Sequence, residues 1–263
     1  MSSTTSRPAM ATCFGGGGAF GYGFDMGIAD GMRDGGVDVG RFPMIGTSAG
    51  SHTAATIDTG LDFEHVADLW ERFIEGQGRR FMVNGHELAD PIYGGREATD
   101  VNAIAVRMRS WRRVSLSSNR HHLADIVAAS SAVPPLVRPH VIDGRRYLDG
   151  GVISMASIDL TPGADLLLAI TPFAVAGQGA AGRVGALQAR REIRKWSKRH
   201  RGSVLHIVPS EAMAAVGGKR LDEVGDMTIG RRVYPMAVEM GRHVADVVLR
   251  DHPGVRLPVT TAG

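Results

Sequence analysis

Apolar positions along the chain fall into two rhythms. Short apolar runs at 11–14, 42–45, 166–170 and 204–208 read as strands, the last two as buried ones. Between the first two, Phe24, Ile28 and Met32 recur at i, i+4, i+8, which predicts a helix ended by Gly35-Gly36. Residues 51–59 continue as a helix of small side chains, able to pack close beneath a sheet. Over 62–75, Phe63, Val66, Leu69, Trp70 and Phe73 share one face of an amphipathic helix that Asp62 can cap. The glycine-rich stretch 79–100 reads as loops forming a rim or lid. Next come an expected helix at 101–108, a strand at 112–117 and a helix at 123–131 stopped by Pro134-Pro135.

Runs at 141–142 and 146–148 flank Asp143-Gly144, a type I′ hairpin signal, and the second strand ends at Asp149. Helices are expected at 185–200 and 228–250, the latter kinked or broken at Pro235, and a loose tail after Pro253. Strands alternating with helices predict an α/β fold of three layers, a mostly parallel central sheet with helices on both faces. No repeat, linker or boundary is visible, so a single domain over 1–263 is expected, with its motif-bearing core at about 11–210.

Composition narrows the class. The 263 residues carry a net charge of +3, which gives no argument for a nucleic-acid partner. A lone cysteine, Cys13, cannot form an intramolecular disulfide and fits a reducing compartment. Residues 1–10 are polar and 11–14 are too short for a secretory leader, and no apolar run approaches the ~18 residues of a membrane span. A cytoplasmic protein is the expectation. One dense basic run, Arg190, Arg191, Arg194, Lys195, Lys198, Arg199 and Arg201, reads as a helix face around Trp196. It is either a solvated surface or a peripheral contact with an anionic membrane.

The chemistry starts at Gly46-Thr47-Ser48-Ala49-Gly50, a G-x-S-x-G between an expected strand and an expected helix. That turn exposes a nucleophilic serine and demands small neighbours, which Gly46, Ala49 and Gly50 supply. Upstream, Gly15-Gly16-Gly17-Gly18 precedes a helix, where free amides gain from the positive end of the helix dipole. Gly16, Gly17 and Gly18 are therefore oxyanion-hole candidates for acyl transfer. The same glycines, with Gly21 and Asp38, also fit a dinucleotide fingerprint, though that reading leaves Ser48 unexplained. A serine needs a base. His200, His206, His243 and His252 are formally available for a triad, but none sits in a loop of marked signature. Asp149 stands at a turn before Gly150-Gly151 and can take the serine proton directly. A turn aspartate that caps nearby amides is the competing reading.

In order, Gly-Gly-Gly-Gly-x-x-Gly ending at Gly21, Gly-Thr-Ser-Ala-Gly, Ala-Ser-Ser-Ala-Val-Pro-Pro and Leu-Asp-Gly-Gly ending at Gly151 resemble the patatin-like phospholipases. The resemblance covers about 11–153. It implies a patatin-like fold and lipid acyl hydrolysis by a Ser–Asp dyad without histidine, metal or cofactor. Ser48 would be the nucleophile, Asp149 the base, Gly16–Gly18 the oxyanion hole, and 129–135 a segment shaping the site. The implied partner is a lipid or ester substrate. A non-catalytic lipid- or nucleotide-binding module and an acyltransferase using the same acyl-enzyme are the alternatives. The chain departs from the family pattern at Phe20, where Arg or Lys is common, and at 152–157, where an Asn-x-Pro is common.

Overall fold

The structure, a computed structural model, describes residues 7–77, 82–217 and 223–257. Its centre is a sheet of eight strands: β1 (Met10–Phe14), β2 (Met44–Thr47), β3 (Val101–Arg107), β4 (Arg112–Ser117), β5 (His140–Ile142), β6 (Arg145–Asp149), β7 (Leu166–Ile170) and β8 (Ser203–Ile207). The order is β5-β6-β3-β2-β1-β7-β8, with β4 paired to the free side of β3. The strands β3, β2, β1, β7 and β8 run parallel, while β4, β5 and β6 are antiparallel additions.

Helices cover both faces. On one side lie α1 (Gly18–Asp34), α2 (Ala49–Asp58), α3 (Phe63–Gln77), α4 (His86–Tyr93), α5 (Leu123–Ser130) and the long α8 (Met227–Asp251); α7 (Glu211–Ala214) is a single turn whose Met213 joins the same core. On the other, α6 (Gly179–His200) buries Ala189 and Trp196 against Cys13, Ile45, Ile104, Leu167 and Ala169. The two cores divide each strand by parity. Met10 and Phe14 face the larger one and Cys13 the smaller, as the period of two requires.

Three expectations change here. Residues 101–108 form no helix; they supply β3, a central strand. Val101, Ala103, Ile104, Ala105 and Val106 are all fully buried because both sheet faces are covered there, so the alternation that marks a strand is missing. The stretch 79–100 is not merely loop, since α4 occupies its middle; residues 78–81 lie outside the described residues. This segment is also pinned: the Met82 amide donates to the Pro135 carbonyl at 3.2 Å and Thr99 is held by Asp58. Finally, the C-terminal segment is docked as far as Leu257, whose amide donates to the Gly36 carbonyl at 2.9 Å, with Val255 buried.

Smaller differences have local causes. The second strand begins at Met44 because Val39–Arg41 form a turn of 3-10 helix capped by Asp38. β8 is an edge strand and only half-buried. The helix α8 runs unbroken through Pro235. Its packing keeps it so. Gly23, Gly27 and Gly31 of α1 lie directly on its backbone, with room for no side chain between the two helices. The expected caps and turns hold: the Asp62 carboxylate accepts from the His65 amide at 2.8 Å, and Asp143 and Gly144 both have positive φ.

One core residue fits no packing rule. Asp25 of α1 is fully buried, and neither carboxylate oxygen has a hydrogen-bond partner among the described residues. Burial pushes its pKa well above the usual carboxylate range, so the folded protein holds it neutral. The sign of the consequence is fixed. In the unfolded chain Asp25 ionises near pH ~4, so its contribution to stability is present below that pH and is lost as pH rises toward the folded-state value. An Asp25→Asn variant has no such slope. Its Tm, relative to the parent, is expected to rise between acidic and neutral pH in parallel thermal melts; an offset independent of pH would show that Asp25 is not held neutral.

Candidate active site

Ser48 and Asp149 are brought together by two strands that meet end to end beside β3. β2 pairs with β3 up to Thr47 opposite Ile104, and β6 takes over at the next position, with Asp149 opposite Ala105. The last residue of one strand therefore abuts the turn that leaves the other. Ser48 occupies that turn with φ 53° and ψ −121°, a conformation an L-residue adopts at a cost of about 1–3 kcal/mol. Its side chain stands clear of the strand while α2 begins immediately behind it.

The turn is held by contacts that the motif itself does not announce. The Ser48 amide donates to the Ser130 hydroxyl oxygen at 3.0 Å, and that hydroxyl donates to the Ile104 carbonyl at 2.7 Å. Two residues on, the Ala132 carbonyl accepts from the Asp149 amide at 3.0 Å. The segment 130–132 thus fastens Ser48 and Asp149 to one another. Ser130 is a site residue that reasoning from chemistry alone missed. Its only signal was the Ala-Ser-Ser-Ala-Val-Pro-Pro stretch.

Asp149 is almost wholly buried, and the neighbouring Ser48 side chain lowers its pKa. Its Oδ1 accepts from the Gly151 amide at 2.6 Å. Burial raises the carboxyl, and the Ser48 side chain and the Gly151 amide pull it partly back, leaving it at about 6. The turn-capping contact considered for this residue is therefore present. Gly150 is required by space: a Cβ there would lie 2.6 Å from the Ile104 carbonyl oxygen.

The glycine loop lies alongside. A Cβ on Gly16 would lie 3.2 Å from the Ser48 Cβ, and one on Gly50 would lie 2.2 Å from the Phe14 carbonyl oxygen. Of the three expected oxyanion donors, Gly16 stands apart, because its amide is already committed to the Met155 carbonyl at 2.6 Å. The Gly17 and Gly18 amides engage no protein acceptor among the described residues and open the N-terminus of α1. The 152–157 segment clasps this loop from the other side, with the Ala156 carbonyl accepting from both Cys13 Sγ at 3.1 Å and Thr47 Oγ1 at 3.3 Å. Phe20, which replaces the common cation, is fully buried and meets Phe173 edge to face at 5.9 Å. Gly21 packs against Gly16 and Ala49.

The histidines considered for a triad lie elsewhere. His206 bonds Thr171, His243 is exposed on α8, and His200 rests on Trp196. His52, one turn after Ser48, is buried between Trp70 and Tyr93, bonded to the Tyr93 hydroxyl, and lowered to about 3 by burial. Asp38, the acid of the dinucleotide reading, caps the Gly40 amide at 3.0 Å in a turn and ends no second strand. The cavity behind the glycine loop, lined by Gly16, Met155, Phe173 and Gln188, holds only about 10 Å³, room for one water and not for an acyl chain. Trp196 does not belong to the basic face of α6; it is buried on the opposite side, donating to the Thr161 carbonyl.

The fold is a mostly parallel sheet flanked by helices, with a serine at a strained strand-to-helix turn beside a buried carboxylate. Residues 12–161 match the patatin-like phospholipase family, and the chain belongs to that family. Uncharacterized NTE family proteins of Mycobacterium tuberculosis and Mycobacterium bovis are 26% identical to it over 187 residues, covering 64% of this chain and 50% of theirs. The chain thus spans about half the length of these curated relatives. Among solved structures it is similar to VipD from Legionella pneumophila, with a TM-score of 0.47 and 13% identity, over 94% of this chain and 67% of that one. Among the described residues no helix is long and apolar enough to cross a membrane.

Proposed function

We propose that the protein is a lipid acyl hydrolase that works through a Ser48–Asp149 dyad. Family membership supports the reaction class, and the single observation that carries the mechanism is the placement of Ser48, on its strained turn, where β2 and β6 meet, beside the buried Asp149 carboxylate. As Ser48 Oγ attacks an ester carbonyl, Asp149 takes its proton and the Gly17 and Gly18 amides receive the developing oxyanion. Asp149 returns the proton to the leaving alcohol as the acyl-enzyme forms. Water then attacks the acyl-enzyme, giving its proton to Asp149, which passes it to the departing Ser48 Oγ as the fatty acid is released. A carboxyl near 6 suits both duties, being ionised at neutral pH yet basic enough to accept a proton.

The test is product analysis. Purified protein incubated with a phosphatidylcholine of defined acyl chains should release free fatty acid and lysolipid, and a folded Ser48→Ala variant should release neither above background. Release that persists undiminished in Ser48→Ala would remove the proposal.

A further inference from the structure

Two hairpins carry the chain past the level of Ser48. β3 runs toward the catalytic edge, because it is parallel to β2, and turns into β4 through 108–111. β6 runs back toward Asp149 from its own turn at Asp143-Gly144, pairing Tyr147 with Arg107 on the way. Both turns therefore project beyond the catalytic pair, and they lie side by side, the Met108 amide donating to the Arg146 carbonyl at 3.0 Å.

What these tips present is unusual for this molecule. Trp111, at φ 49°, is 60% exposed, whereas Trp70 and Trp196 are buried. On the adjacent hairpin Val141 is 52% exposed. Around them stand Arg109, Arg112, Arg145 and Arg146, all exposed and none in an ion pair among the described residues. The one acid on these tips, Asp143, faces His121 at 3.5 Å. An indole set among unpaired arginines matches the headgroup zone of a bilayer, where Trp is favoured and cations meet lipid phosphates.

We propose that this edge docks on an anionic phospholipid bilayer, with Trp111 and Val141 entering the headgroup region and the four arginines on its phosphates. The proposal rests on the reading of Ser48 and Asp149 as an ester-cleaving pair, since it places the lipid ester beside them. The basic face of α6 is the rival surface. It is less well placed: α6 starts at the catalytic edge but ends at the opposite one, where His200 lies over Gly163, so most of its cations recede from Ser48.

The experiment uses the full chain and vesicles of phosphatidylcholine with or without phosphatidylglycerol, read by co-sedimentation and tryptophan emission. Because Trp111 is the exposed indole, a blue shift on binding reports its burial. The expected result is binding with a blue shift only when phosphatidylglycerol is present. Arg109→Glu combined with Arg112→Glu is expected to lower vesicle partitioning by roughly tenfold or more, and Trp111→Ala to lower it as well. Turnover of a soluble p-nitrophenyl ester should be unchanged in these variants, which separates docking from the catalytic reading. Partitioning that survives these changes and is lost instead in Arg190→Glu with Arg191→Glu would overturn the proposal. So would vesicle binding without a blue shift, or competition by a DNA duplex as effective as that by vesicles.

Discussion

Replacing Asp149 by Asn is expected to lower kcat for ester hydrolysis by roughly 10³–10⁴, which is about 4–5 kcal/mol of transition-state stabilisation. Asn keeps the size of the side chain and can still accept the Gly151 amide, so the turn and the fold survive. What the proposed mechanism loses is the acceptor of the Ser48 proton. The pH dependence follows from the same group. Asp149 is held at about 6 by burial, against the pull of Ser48 and the Gly151 amide, and only the ionised form can act as base. In the parent enzyme kcat/KM is therefore expected to fall about tenfold per pH unit below 6 and to level off above it. The residual activity of Asp149→Asn should lack that inflection. A variant that keeps both the rate and the inflection would assign the base to another residue.

The second large effect concerns the fold beneath the nucleophile. A Cβ at position 50 would lie 2.2 Å from the Phe14 carbonyl oxygen and 2.8 Å from that of Gly15, atoms of β1 and the glycine loop with no flexible end to yield. Gly50→Ala must therefore push α2 away from β1, carrying Ser48 with it. The expected cost is about 3 kcal/mol or more, a fall in Tm of roughly 6–12 °C for a chain of this size, with loss of turnover. Gly76→Ala on α3 is the matched control. Nothing lies within 4 Å of its Cβ, and alanine is the better helix former, so its Tm should hold or rise slightly. Equal Tm values for the two variants would contradict the close approach.

How much of this was legible in the chain depends on where each residue's partners come from. The turn at Ser48 could be read because it is a local device, with strand, small residues and helix following one another directly. Asp149 could be read because a hairpin with an Asp-Gly turn leads straight into it. The abutment of β2 and β6 could not be read, since it depends on β3 being a strand, and β3 is buried on both faces and shows no alternation. Ser130 was hidden for a related reason. A serine at the end of an apolar helix is ordinary, and its value lies in reaching the Ser48 amide 82 positions away. Gly16 illustrates the opposite case. It was read with Gly17 and Gly18 as an oxyanion donor, but which amide stays free is decided by the Met155 carbonyl, a backbone contact that no residue type announces.

The central claim is that Ser48 is a nucleophile activated by Asp149 without a histidine. Its most direct measurement is labelling with a fluorophosphonate, followed by peptide mapping, in the parent, in Asp149→Asn and in a His52→Phe variant shown to be folded. The expected result is one adduct per chain on Ser48, strongly slowed by Asp149→Asn and retained in His52→Phe. An adduct on another serine, or labelling of Ser48 that is indifferent to Asp149 and abolished with a histidine, would contradict it.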